Sequence, residues 1–226
     1  PETEAAFAEL QRNGVKTIIS VDGAKPDVAT AGKYGMRYVH LPFGYDGIST
    51  NRQLELVKAA KTLPQPIFVH CHHGEHRGPT AAAILCMGAL NWDAKQGIEW
   101  LKKAGTSTNY SGLYKTVEQF RMPDEATLEK LAGDFSSQAK VSSMVEAMVG
   151  MDERMSHLKA IRQAGYKVPE LHPDIVPANE ALLLHELFKE LLRSPEMKDK
   201  NPEFLDELKQ GEQATGKFFE ILKRES

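Results

Sequence analysis

The sequence predicts an α/β unit, a small and mainly parallel sheet flanked by helices, followed by an all-α helical bundle. Three observations carry that expectation. Short β-branched or apolar runs alternate with helical patterns as far as His70, with connections long enough for crossovers between parallel strands. Beyond Met122-Pro123-Asp124 no further strand signal appears. From there on, apolar residues recur at helical spacing. The boundary expected from the sequence gives an α/β domain over residues 1–122 and a helical bundle domain over 123–226.

The strands are expected at Lys16–Val21 (KTIISV), Arg37–Pro42 (RYVHLP) and Pro66–His70 (PIFVH). Glu2–Asn13 sets Ala6, Phe7 and Leu10 on one helical face, and Gly14 is placed to end that helix. Asp27–Tyr34 follows Pro26 as a short helix closed by Gly35. Thr50 is a candidate cap for Asn51–Thr62, where Leu54, Val57 and Ala60 share a face. Helices over Gly78–Leu90, Asp93–Ala104 and Leu113–Phe120 complete the first domain. A sheet of three strands is thin, so a further strand or two is expected upstream of Pro1. The chain starts there without an initiator Met or a signal-like stretch, and an upstream segment is expected to have been removed.

In the second domain Met144, Met148, Met151 and Met155 recur at spacings of four, three and four. Such a stripe can be an adaptable binding surface, but a helix burying its apolar face in a bundle is the commoner origin. A proline-bearing loop, Gly165–Pro177, precedes helices over Asn179–Arg193 and Pro202–Arg224. Together these predict three or four helices in a bundle. The segment from His157 to Tyr166 resembles helical-bundle domains of the cytochrome c-prime type. The sequence has no Cys-x-x-Cys-His, so that resemblance brings no haem, and the domain reads as a spacer or docking module.

Composition excludes several classes. No run approaches the roughly 18 consecutive apolar residues of a membrane-spanning helix. Net charge is −3; residues 1–121 carry 14 Lys/Arg against 11 Asp/Glu, and the remainder 14 against 20. A mildly basic first half suits a small anionic substrate, and neither half is basic enough to point to nucleic acid. The two cysteines, Cys71 and Cys86, make no disulfide framework. Cys86 lies in the apolar run AAAILCMGAL and is expected to be buried, which leaves Cys71 as the thiol available for chemistry.

The chemistry concentrates in His70-Cys71-His72-His73-Gly74-Glu75-His76-Arg77-Gly78. An apolar strand runs into this segment and an apolar helix leaves it. A strand–loop–helix turn points successive amides into one concavity at a helix N-terminus, where the dipole adds roughly half a positive charge. A cysteine there, with an unperturbed pKa of about 8.5, is drawn toward its thiolate form. The Arg77 fork can grip two phosphoryl oxygens. The five intervening residues let the loop curl around one tetrahedral anion, with Cys71 below the phosphorus. In-line attack by Cys71 and a cysteinyl-phosphate intermediate are the chemistry expected of this arrangement.

His-Cys-x-x-Gly-x-x-Arg after a strand resembles the signature loop of the protein tyrosine and dual-specificity phosphatase superfamily. The resemblance runs from about Glu2 to Phe120 and includes Gly14–Ile19 and Tyr38–Pro42. It implies that His72, His73, Gly74, Glu75, His76 and Arg77 line a phosphate cradle through their backbone amides. One departure is Gly78, where the family usually has a Ser or Thr whose hydroxyl helps the thiolate leave in the second step.

A leaving oxygen needs a proton, so an acid is expected on a neighbouring loop. Asp46, 25 residues before Cys71, follows the preceding strand, and the resemblance also points to that loop. Asp22, after the first strand, is the competitor. Both precede Gly, as turn aspartates commonly do. Four of the eight histidines fall within residues 70–76. A metal site from His70, Cys71, His72, His73 and His76 is the alternative use, though adjacent residues rarely converge on one ion. More simply, they make the cradle electropositive, with His70 orienting the loop. The function expected is a metal-independent phosphomonoesterase with no cofactor, acting on a phosphoprotein, a phosphoinositide or a small phosphate ester. The alternative is a phosphate-binding pseudophosphatase whose helical domain recruits a partner.

Overall fold

The computed structural model describes residues 3–225; Pro1, Ser226 and Glu2, the expected first residue of the opening helix, lie outside them. The chain divides into two compact units, Pro1–Lys140 and Val141–Ser226.

The first unit runs α1 (Glu4–Arg12), β1 (Thr17–Ser20), α2 (Val28–Lys33), β2 (Arg37–His40), α3 (Thr50–Thr62), β3 (Ile67–His70), α4 (Arg77–Leu90), α5 (Ala94–Lys103), α6 (Ser111–Gln119) and α7 (Glu125–Lys130). The three strands form a parallel sheet in the order β2-β1-β3. Side-chain alternation along β1 sends Ile18 and Ile19 to opposite faces. Ile18 joins Phe7, Ala31, Met36 and Tyr38 in one core. Ile19 joins Val39, Leu56, Val57, Ala81 and Ile84 in the other. A sheet covered on both faces reads as continuous apolar runs, which is why the strand signals were so plain in the sequence. Gly88 of α4 lets α3 approach closely, since a Cβ there would stand 2.9 Å from a Val57 methyl.

Local signals mostly act where expected. Asp27 caps α2, and Asp93 with Gln96 forms a capping box on α5. The cap of α3 is Ser49 rather than Thr50: the Ser49 hydroxyl accepts from the Arg52 amide at 3.4 Å, and Thr50 is already helical. Cys86 is half-buried rather than buried, and that burial pushes its thiol pKa up.

The stretch after Met122 packs with the α/β unit. Leu128 of α7 enters the larger core. Lys58 on α3 donates to the carbonyls of Leu128, at 2.9 Å, and Leu131. The His40 amide donates to the Ser136 carbonyl at 2.9 Å. These long-range bonds place the division between units at Lys140.

The second unit comprises α8 (Ser143–Gln163), α9 (Pro177–Arg193), a 3₁₀ turn (Pro195–Asp199) and α10 (Pro202–Glu225). Met151, Leu184, Leu191, Met197 and Leu208 form its core. The methionine stripe divides: Met151 is buried and Met144 packs on the core, while Met148 and Met155 are exposed. Glu196 reaches back to the start of α8 and accepts from the Ser143 and Met144 amides at 3.0 and 3.2 Å. Glu180 is buried but satisfied, accepting from Arg154 at 3.0 Å and His157 at 2.8 Å. Among the described residues no helix is long and apolar enough to cross a membrane.

Candidate active site

The sheet register brings the candidate residues to one edge. Ser20 pairs with His40 on one side and His70 on the other, so all three strands end level. The loops carrying Asp22, Asp46 and Cys71 therefore leave from the same edge, where ligands bind in open α/β sheets.

Cys71 is the first residue past β3 and is only 4% exposed. His70, just before it, is held from both sides. Its Nε2 lies 2.6 Å from the Tyr38 hydroxyl, and burial raises the Tyr38 pKa, keeping the phenol a donor. The ring also meets the Cys71 backbone through a hydrogen bond that favours its charged form, without offsetting burial. Burial lowers the His70 pKa to about 4. His40 at the end of β2 is also fixed as a neutral ring. Its Nδ1 accepts from the Ala139 amide at 3.1 Å, so Nε2 donates to the Asp22 carbonyl at 2.8 Å. Burial lowers its pKa as well.

Both rings are neutral when folded and titrate near 6.5 when unfolded, so the unfolded chain binds protons first on acidification. Stability should be full above about pH 6.5 and decline from there toward pH 4. A loss on the order of 2 kcal/mol at pH 5 is expected from His70 alone. Urea midpoints at pH 7.5, 6 and 5 check this, and equal midpoints across the series would refute it.

Residues 72–76 form the loop. Gly74 has φ +75°, a conformation that side chains disfavour. His76 caps α4 in position but makes no side-chain cap bond, which leaves the first amides of the helix available to the concavity. The back of the loop is braced. The Thr106 hydroxyl donates to the Glu75 carbonyl at 2.6 Å, and the Tyr114 hydroxyl donates to the Thr106 carbonyl at 2.7 Å. Arg77 opens α4. Its guanidinium carbon lies 4.4 Å from the centre of the Tyr45 ring, and one terminal nitrogen is 3.5 Å from the Phe43 carbonyl. Its Nε is buried and has no hydrogen-bond partner among the described residues. A Cβ on Gly78 would sit 3.2 Å from the Cys71 nitrogen, so the side-chain position at 78 abuts the nucleophile candidate.

The loop after β2 is anchored to α6. The Ile48 amide donates to the Thr116 hydroxyl at 3.0 Å. Gly112 makes room for the Asp46 backbone, because a Cβ there would fall 2.0 Å from the Asp46 carbonyl oxygen. Asp46 itself is exposed at the site edge. Asp22 is 4% exposed, and its Oδ1 accepts from the Ala24 amide at 2.8 Å. It is engaged as a turn residue, in the manner considered for both aspartates.

The cluster of histidines divides by environment. His72 and His73 are exposed, with ring centres 4.5 Å apart, and Glu75 is exposed beside them. His70 is committed to Tyr38, and His76 stacks edge-on to Tyr110 at 4.7 Å. Tyr45, Tyr110, Thr106 and His40 were not singled out by sequence reasoning. Each acts through a partner distant in the chain, and no local pattern marks it.

No family model matches the chain. Over 102 residues it is 29% identical to the dual specificity protein phosphatase TpbA of Pseudomonas aeruginosa strain UCBPP-PA14, and 28% identical to TpbA of the PAO1 strain. In both cases the match covers 44% of this chain and 46% of the relative, so the chain spans about half the length of the curated relatives it matches. Among solved structures, that of P. aeruginosa TpbA aligns with a TM-score of 0.44 at 24% identity, covering 57% of this chain and 80% of that one. A cysteine-to-serine variant of TpbA in complex with pTyr aligns with the same TM-score at 22% identity, over 53% and 75%. The sequence match to TpbA and the His70–Arg77 run together support kinship with the cysteine-dependent, dual-specificity-phosphatase-like superfamily.

Proposed function

We propose that this chain is a metal-independent phosphomonoester hydrolase working through a cysteinyl-phosphate intermediate on Cys71. The observation that carries the reading is the buried Arg77 Nε, an unpartnered donor beside a loop that begins with a buried cysteine. Buried donors are rarely left unpaired, because each costs about 1–3 kcal/mol. A phosphoryl oxygen is the acceptor that this site's chemistry offers.

In the first step the Cys71 thiolate attacks phosphorus, a P–S bond forms and the ester P–O bond breaks. Asp46 gives the leaving oxygen its proton. The amides of residues 72–77 and the Arg77 guanidinium take up the charge on the equatorial oxygens. In the second step a water attacks phosphorus, Asp46 takes its proton, and the P–S bond breaks to return the thiolate and inorganic phosphate. No cofactor enters either step. The substrate is proposed to be a phosphorylated protein, phosphoinositide or small ester.

The test is hydrolysis of an aryl phosphate from pH 5 to 8 with EDTA present. Native protein should be active, and Asp46→Asn should lower kcat by roughly 10²-fold, with the loss concentrated where the acid must be protonated. A native protein inert under these conditions would overturn the hydrolase reading. The placement of position 78 against Cys71 favours a second reading. Without a hydroxyl there the second step is slow, and the protein acts as a phosphate-binding pseudophosphatase with a partner on its helical unit. Tight binding of a phosphorylated ligand without turnover would select that reading.

A further inference from the structure

The guanidinium of Arg77 is held less by hydrogen bonds than by an aromatic stack. One terminal nitrogen reaches the Phe43 carbonyl only at 3.5 Å, the outer limit of a hydrogen bond, and the Tyr45 side chain is a further hydrogen-bond partner. Among the described residues no carboxylate pairs with it. The Tyr45 ring centre lies 4.4 Å from the guanidinium carbon. Tyr110 also packs against Tyr45, with centroids 4.6 Å apart and planes tilted by 31°. His76 meets both rings edge-on, at 6.1 and 4.7 Å. Tyr45 is thus in contact with Arg77, Tyr110 and His76, and its sequence neighbour is Asp46.

We propose that Tyr45 is a positioning residue: its ring face holds the Arg77 guanidinium ready for the anion and ties that guanidinium to the loop bearing Asp46. The inference rests on the phosphatase reading and adds a residue to it. A cation over an aromatic face is attracted by the ring quadrupole, more strongly when both are shielded from water. Preorganising a rotamer-rich arginine in this way removes an ordering cost from ligand capture. The same stack links two loops that meet only through tertiary structure, so displacing Tyr45 should disturb capture and proton donation together.

The experiment measures inorganic phosphate binding by calorimetry alongside aryl phosphate hydrolysis. Tyr45→Phe, which keeps the ring face, should bind and turn over within about twofold of native. Tyr45→Leu should weaken phosphate binding about tenfold and lower kcat/KM at least as much. In an Arg77→Lys background the Tyr45→Leu effect should vanish, a coupling that a merely structural role would not show. Should Tyr45→Leu unfold the protein, pentafluorophenylalanine at position 45 keeps the ring's shape and removes its negative face, and the same tenfold loss is expected. Phosphate affinity unchanged in either substitution, or effects additive with Arg77→Lys, would overturn the role of Tyr45. Native protein that binds no phosphate would instead bring down the phosphatase reading, and this inference with it.

Discussion

Cys71→Ser should abolish hydrolysis, lowering kcat by roughly 10⁴-fold or more, while phosphate still binds. The two residues are nearly the same size, and Cys71 is buried in the loop that follows β3, so the fold should tolerate the exchange. The chemistry does not. A serine hydroxyl is far less acidic than a cysteine thiol and a much weaker nucleophile at neutral pH. An alkoxide is also a far poorer leaving group than a thiolate, so even a phosphoserine formed slowly would not break down. Phosphate binding should hold or improve, because a negative thiolate no longer faces the anion. Burst and steady-state kinetics with calorimetry separate the two effects. Residual turnover within tenfold of native would exclude Cys71 as the nucleophile.

Arg77→Lys should cost roughly 10²–10³ in kcat, equivalent to about 3–4 kcal/mol of transition-state stabilisation. The guanidinium can present two parallel N–H groups to the equatorial oxygens, whereas an ammonium presents a single compact charge. Arg77 also loses its stack on Tyr45 in this substitution, so phosphate affinity should fall together with rate. Stability should move little or rise. The native guanidinium is half-buried with an unpartnered Nε, and removing such a group relieves a desolvation cost. A fall in kcat together with unchanged or improved urea resistance would therefore be the expected signature. Retention of full activity would remove Arg77 from the anion cradle.

The three strands of the sheet and the order of the chemistry-bearing loop are legible in the sequence. Three apolar runs announced strands because a parallel sheet covered on both faces needs apolar side chains in both directions. The helices expected from Asp27 and Asp93 begin there because each aspartate accepts from an orphaned amide three residues on. The run from His70 to Arg77 was legible because every residue in it lies within one strand–loop–helix turn. Interactions spanning three or four residues are written in the spacing itself.

Tertiary structure alone decided what depends on distant partners. Asp22 and Asp46 read alike as Asp-Gly turns, yet Oδ1 of Asp22 is taken by the Ala24 amide while Asp46 stands exposed on a loop pinned to α6. The neutral state of His40 comes from an amide 99 residues away. That contact, with Leu128 and Ser136, carries the first unit on to Lys140. The methionine stripe looked uniform at helical spacing, but α9 covers only the side of α8 that bears Met151. The stack of Arg77, Tyr45 and Tyr110 joins the start of α4, the loop after β2 and the cap of α6, and has no signature in any of them. The physical reason is common to all of these: helical and strand periodicity says which face of an element is apolar, and only packing says what meets that face.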